Sequence, residues 1–197
     1  MSCLTNTAHY DALLFDLDGT LADTATVNAQ AYAAALLEQG IDCSVQELIS
    51  MTSGRNWRQF LPELLGGANN YKLAEYIAER KKIYYADMIK DVLINTALLG
   101  LLKSYRSVGK TALVTTASSA NVQAILTYHQ LSGLFDVVVT GDDVRQHKPH
   151  PEAYLLAIKR LQVNSDACLT FEDSDIGVTS AQLAGLHVVK VVFPVVV

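Results

Sequence analysis

Apolar residues along the chain fall into two patterns. Short unbroken runs, LLF at 13–15, ALV at 112–114, VVV at 137–139 and CLTF at 168–171, show no polar alternation, as expected of strands covered on both faces. Helical spacing predicts helices over 96–108, 119–130, 152–161 and 175–184, interleaved with strands over 111–115, 136–140, 168–172 and 188–193. With a first strand over 11–16, this alternation predicts a parallel sheet in a three-layer α/β unit. Residues 23–91 break the alternation with helices alone. A helix from Thr24 to Gln39 ends at Gly40, Ser44 to Glu47 forms a capping box, residues 55–65 are amphipathic with a kink expected at Pro62, and a long helix runs from Tyr71 to Lys90. The predicted organisation is a discontinuous α/β core, 1–22 and 92–197, interrupted by an α-helical cap, 23–91.

Composition narrows the function classes. The 197 residues are 50% hydrophobic and 18% charged, which excludes a disordered tail. No apolar run reaches the roughly 18 residues that a spanning helix needs, since Lys190 and Pro194 interrupt the C-terminal one. The first Lys or Arg is Arg55, so no signal or transit peptide is expected. Cys3, Cys43 and Cys168 are odd in number and far apart, which suits a reducing compartment and makes the cytoplasm the expectation. With 15 Lys+Arg against 20 Asp+Glu and no basic tract, nucleic acid is not an expected partner. Residues 55–90 hold seven Lys/Arg and four Asp/Glu, which reads as a basic cap over an acidic core. The expected partner is a small molecule, and the expected state is a monomer.

In an open parallel sheet, ligands bind beyond the carboxyl ends of the strands. Those ends carry Asp16 and Asp18, Thr115 and Thr116, His147-Lys148-Pro149, and Glu172-Asp173. Residues two apart on an extended chain share a face, so four carboxylates would crowd one crevice. Such crowding calls for a cation, and all-oxygen ligation suits Mg²⁺. Lys148 and the Thr115 hydroxyl then become partners for a phosphoryl group.

DLDGTL at 16–21, a Thr ending the second core strand, Lys148-Pro149 after the third, and FEDSDIG at 171–177 resemble, in order, the four motifs of the haloacid dehalogenase-like superfamily. HKPHPEAY and EDSDIG are most similar to its β-phosphoglucomutase-like and sugar-phosphatase branch. The resemblance covers nearly the whole chain and implies a Rossmann-like core. It also implies a phosphatase that hydrolyses a small phosphorylated metabolite, a sugar phosphate first among them, through an aspartyl-phosphate. On that resemblance Asp16 is the nucleophile and Asp18 the acid/base. Mg²⁺ is held by Asp16, the Asp18 carbonyl and Asp173, with Glu172 assisting. Thr115, Lys148, Gly19 and the backbone N–H groups of Leu17 and Thr116 bind phosphate, while Asn28, Arg55 and Lys81 of the cap face the substrate.

Other readings compete at particular residues. Asp-x-Asp alone is usually a turn, and Gly141-Asp142-Asp143 is read as helix capping. Asp173-Ser174-Asp175 lacks the later ligands of a calcium loop. Trp57 is read as cap core, and His147 as packing or a cap contact. A phosphomutase is the alternative function, weakened because Asn28 stands where the mutases of that branch carry a histidine. A phospho-acceptor signalling domain is opposed by the order of the motifs and by the inserted cap.

Overall fold

The computed structural model describes residues 10–52 and 57–194. The chain opens with β1 (Ala12–Phe15), four residues all buried, as an apolar strand covered on both faces requires. β1 pairs in parallel with β4 (Lys110–Val114) on one side and β6 (Cys168–Glu172) on the other, so that Phe15 lies opposite both Leu113 and Phe171. β5 (Val137–Val139) extends the sheet beyond β4, and β7 (His187–Lys190) extends it beyond β6. The order is β5-β4-β1-β6-β7. The first strand therefore sits in the middle, and the chain winds outward to either side of it. That arrangement opens a crevice at the C-terminal end of β1, where the strand order switches direction.

α7 (Glu152–Leu161) and α8 (Asp175–Leu183) cover one face, burying Tyr154, Ala157, Leu161 and Ala181 against Ala12, Leu14, Val114 and Cys168. Leu13 and Phe15 alternate to the opposite face, where the Phe15 and Phe171 rings stack with centroids 5.1 Å apart. α5 (Thr96–Tyr105) packs on β4 outside the first cluster, and α6 (Ser119–Tyr128) follows that strand. Local chemistry sets where these helices start. Asn95, Ser118 and Ser174 each accept a backbone N–H of the first turn on their side chains. Asp142 also accepts the Ser119 N–H at 2.8 Å, and Asp143 closes a capping box with Thr140, so the Gly-Asp-Asp run has a capping role.

The chain divides into two compact units, residues 1–22 with 94–197, and residues 23–93. The two crossings run through β2 (Ala22–Asp23) and β3 (Leu93–Ile94), paired as a two-stranded ribbon. The second unit is helical: α1 (Thr24–Leu37), α2 (Val45–Thr52), α3 (Trp57–Leu64) and α4 (Tyr71–Met88). Asp23 caps α1, and the Ser44–Glu47 box caps α2 with bonds of 3.2 and 3.1 Å. Leu36, Leu48, Phe60, Leu61 and Ile77 form its core, with Trp57 packed against them. Glu38 locks the end of α1 to α4 by accepting two bonds from Arg80, at 2.6 and 2.8 Å, and one from the Tyr84 hydroxyl at 2.6 Å. Counted over all of 23–93, seven Lys/Arg meet nine Asp/Glu, which corrects the expectation of a basic cap. The basic surplus of 55–90 is outweighed by Asp23, Glu38, Asp42, Glu47 and Asp91, which lie just outside that stretch.

Candidate active site

The buried ends of β1, β4 and β6 bring three sequence clusters together. Asp16 follows β1 directly and is 6% exposed, and its N–H donates to the Phe171 carbonyl at 3.0 Å, which ties it to the neighbouring strand. After it the chain turns sharply. The Leu17 carbonyl accepts the N–H groups of Leu21 and Ala22 at 3.1 and 2.9 Å, and Gly19 N–H donates to Ala22 at 2.8 Å. Gly19 has φ +84°, and a methyl there would overlap the Asp173 carboxylate, so both backbone angle and space require glycine. The turn places Asp18 so that its Oδ2 accepts the Thr115 hydroxyl at 3.0 Å. Because Thr115 Oγ1 itself accepts the Ala117 N–H at 3.0 Å, its own proton is directed at Asp18. The phosphate partner expected at Thr115 is thus bonded to the candidate acid/base in this structure, while Thr116 is exposed beside it.

Lys148 reaches into the same place. Its ammonium donates to Asp16 Oδ1 at 2.7 Å, to Glu172 Oε1 at 2.5 Å and to the Val114 carbonyl at 2.9 Å, and its side chain is 5% exposed. The loop that carries it is tied down from both ends. Glu152 accepts the N–H groups of Arg145 and Gln146, each at 3.0 Å, and Ser180 on α8 donates to the His150 carbonyl at 2.7 Å. His147 is exposed and is not part of the core.

Charge in this cluster is unbalanced. Carboxylate oxygens of Asp16, Glu172 and Asp173 lie within 4.8 Å of one another, with Lys148 the cation among them. Burial raises Asp16 well above the usual carboxylate range, and the Lys148 charge only partly offsets this. Asp173 is raised by burial and by Glu172. Burial works to lower Lys148, but Asp16 and Glu172 more than reverse it, so the ammonium stays protonated. Glu172 Oε2 is buried and has no hydrogen-bond partner among the described residues. A hard divalent cation fits this donor set: it prefers carboxylate oxygens, balances the surplus negative charge and would draw the raised carboxyls back toward the ordinary carboxylate range.

Two participants escaped the reading of the sequence. Tyr154, fully buried on α7, donates its hydroxyl to Glu172 Oε1 at 2.5 Å, and the Lys148 ammonium lies 5.0 Å from its ring centre. Gly177 on α8 leaves space that the Glu172 carboxylate fills, where a methyl would overlap it. In the sequence both stand in motifs that carry the family resemblance, Tyr154 ending HKPHPEAY and Gly177 ending FEDSDIG, but the motifs alone give neither a role of its own.

A family model described as haloacid dehalogenase-like hydrolase matches residues 13–191. The chain belongs to the haloacid dehalogenase-like hydrolases. It is 30% identical over 186 residues to the fructose-1-phosphate phosphatase YqaB of Escherichia coli K12, covering 92% of this chain and 96% of that protein. It is 32% identical over 183 residues to a phosphorylated carbohydrates phosphatase of Thermotoga maritima, covering 90% and 82%. Among solved structures, CbbY of Rhodobacter sphaeroides in complex with phosphate superposes with a TM-score of 0.74 at 25% identity, covering 91% of this chain and 84% of that one. The five-stranded sheet with flanking helices is the Rossmann-like core of this family, and the assignment makes the protein a phosphatase-type hydrolase.

The remaining sequence-predicted residues belong to the second unit. Asn28 is half-buried on α1. Lys81 on α4 is 9% exposed, its ammonium 4.1 Å from the Tyr85 ring centre and 5.2 Å from that of Tyr32. Arg55 lies outside the described residues.

Proposed function

We propose that the protein is a Mg²⁺-dependent phosphatase of a small phosphorylated metabolite, a sugar phosphate first among substrates, acting through an aspartyl-phosphate, an acyl phosphate on Asp16. The observation that carries this reading is the constellation at the ends of β1, β4 and β6. There a buried carboxylate is gripped by a buried ammonium, and a second carboxylate two residues on is oriented by a threonine hydroxyl. The names of the two phosphatase relatives support the substrate class.

In the first step an Asp16 oxygen forms a bond to phosphorus while the bond to the leaving alcohol breaks, and Asp18 gives that alcohol its proton. In the second step Asp18 takes a proton from water, the water oxygen bonds to phosphorus, and the acyl-phosphate bond between phosphorus and the Asp16 oxygen breaks, which frees the carboxylate. Splitting one displacement into two lets a single carboxyl serve as acid and then as base. Lys148 fixes the rotation of the Asp16 carboxylate and supplies positive charge beside the phosphoryl oxygens. The backbone N–H groups of Leu17 and Thr116 and the space at Gly19 complete the cradle. Mg²⁺, held by the carboxylates of Asp16 and Asp173 and the Asp18 carbonyl with help from Glu172, would neutralise the non-bridging phosphate oxygens. On the family resemblance, recognition of the rest of the substrate is assigned to Asn28, Arg55 and Lys81 of the helical unit. Three widely spaced cysteines suit a reducing compartment, which supports the cytoplasm as the setting for this chemistry.

The deciding experiment measures free phosphate during incubation with Mg²⁺ across sugar monophosphates headed by fructose 1-phosphate, with phosphoglycolate and nucleotides as outliers. A parallel reaction with β-glucose 1-phosphate and catalytic glucose 1,6-bisphosphate follows phosphate and glucose 6-phosphate together. Phosphate release exceeding isomerisation is expected, because a mutase must shield its aspartyl-phosphate from water. Glucose 6-phosphate forming faster than phosphate would make the protein a mutase. No phosphate from any substrate would refute the hydrolase reading.

A further inference from the structure

We propose that the Tyr154 hydroxyl is a positioning residue that sets how the site holds its divalent cation, by pinning Glu172 independently of Lys148. The inference rests on the reading of the acidic cluster as a metal site. Glu172 Oε1 accepts from both the Tyr154 hydroxyl and the Lys148 ammonium, each at 2.5 Å, while Oε2 is buried without a hydrogen-bond partner among the described residues. Two donors on one oxygen stop the carboxylate from rotating and leave the other oxygen for a cation. Lys148 alone cannot do this, because its remaining bonds, to Asp16 and the Val114 carbonyl, tie it to the nucleophile.

Chain geometry makes the link specific. Tyr154 lies six residues after Lys148, on the helix that follows the loop. One fully buried side chain thereby connects the loop between β5 and α7, which carries Lys148, to the β6 end carrying Glu172 and Asp173. Its ring, 5.0 Å from the Lys148 ammonium, supports the same cation from its π face. Removing only the hydroxyl keeps the ring but leaves Lys148 as the remaining donor recorded on Oε1. The carboxylate then moves with the lysine whenever phosphate draws that ammonium away.

The test compares wild type, Tyr154→Phe, Glu172→Gln and the double variant. Mn²⁺ and Mg²⁺ affinity of the metal-free proteins is measured by calorimetry, alongside thermal unfolding and p-nitrophenyl phosphate kinetics at saturating cation. Loss of an outer hydrogen bond to a ligand typically costs about 10- to 100-fold in metal affinity. Tyr154→Phe is therefore expected to bind the cation at least about tenfold more weakly, with substrate KM unchanged. The double variant should bind no more weakly than Glu172→Gln, since the hydroxyl acts only through that carboxylate. Tyr154→Phe affinity within twofold of wild type, or effects that add in the double variant, would overturn the proposal. A Tyr154→Phe chain that fails to fold would overturn it too, because the hydroxyl would then be a requirement of the core. A wild type that binds neither cation would refute the metal site itself, and this inference with it.

Discussion

Replacing Lys148 with Met keeps the length of the stem and removes one buried charge. The ammonium that disappears is bonded to Asp16 at 2.7 Å and to Glu172 at 2.5 Å, with the three side chains 5%, 8% and 1% exposed. What remains is a pair of buried carboxylates facing one another without their counter-ion. Breaking a buried pair from one side typically costs about 3–5 kcal/mol. Coulomb repulsion between two charges at the 4.8 Å limit of the cluster, with an effective dielectric of about 20, comes to about 3.5 kcal/mol, so the two routes agree. In a chain of this size each kcal/mol moves the unfolding midpoint by about 2–4 °C, so the core unit of Lys148→Met should melt about 6–20 °C lower in EDTA at pH 7.5.

Acid and cations should each relieve that loss. Asp16 has a raised folded pKa, so the stability it contributes is present below the ordinary carboxylate range and lost as pH rises through the raised value. Taking away Lys148 removes an influence that lowers it, which pushes Asp16 further up and makes the deficit larger at pH 7.5 than at pH 5. A divalent cation at 100 times its Kd returns about 2.7 kcal/mol, and the variant, with one more uncompensated negative charge, should gain more from it than wild type does. Differential scanning calorimetry at both pH values, with EDTA and with Mg²⁺, measures all three effects. A variant melting within 2 °C of wild type in EDTA at pH 7.5 would refute the claim that Lys148 balances the cluster.

Asp16→Asn and Asp18→Asn should both abolish steady phosphate release, the second by about 10²- to 10⁴-fold through the missing proton transfer. Asp16→Asn should melt no lower than wild type in EDTA, because it deletes a buried charge, and activity within tenfold of wild type would remove Asp16 from the role of nucleophile. Gly177→Ala drives a methyl into the Glu172 carboxylate. Overpacking of that kind costs about 1–3 kcal/mol, and an unchanged midpoint with unchanged metal affinity would show that the carboxylate can move aside. In the helical unit, bonds from Arg80 and Tyr84 lower Glu38 from 4.5 to about 2. The stability this gives is present above pH 4.5 and lost as pH falls through about 2, so amide protection factors in α1 and α4, corrected for the intrinsic exchange rate, should fall across that window in wild type and much less in Glu38→Gln. Equal acid sensitivity of the two proteins would remove Glu38 as the clasp.

Legibility in the sequence differed by physical cause. The helix at 152–161 and the strand at 168–172 have the predicted ends because local signals bound them, prolines before the helix and Gln162 in the left-handed region at φ 56° after it. β2 and β3 went unread because two-residue strands carry no periodicity, and only their mutual pairing defines them. The last strand stops at Lys190, short of the predicted 193, although the Val191 N–H still donates to the Glu172 carbonyl at 2.7 Å.

Within the site the same division holds. Asp16, Asp18, Thr115, Lys148, Glu172 and Asp173 could be named because each follows an apolar run, and strand ends converge wherever strands are parallel. Their partnerships depend on register. Phe15 lies beside Leu113, which aligns the chain after β1 with the chain after β4, and the turn at Gly19 then carries Asp18 back to Thr115. Tyr154 is the strongest case. An amphipathic pattern assigns its ring to the core, correctly, but carries no information about the one polar atom at the ring's far end. That atom meets Glu172 only because α7 packs on the same sheet face toward which Glu172 points. A buried hydroxyl must find an acceptor, so a tyrosine at a core position beside a strand ending in carboxylates is the signal that a reader of such sequences should look for.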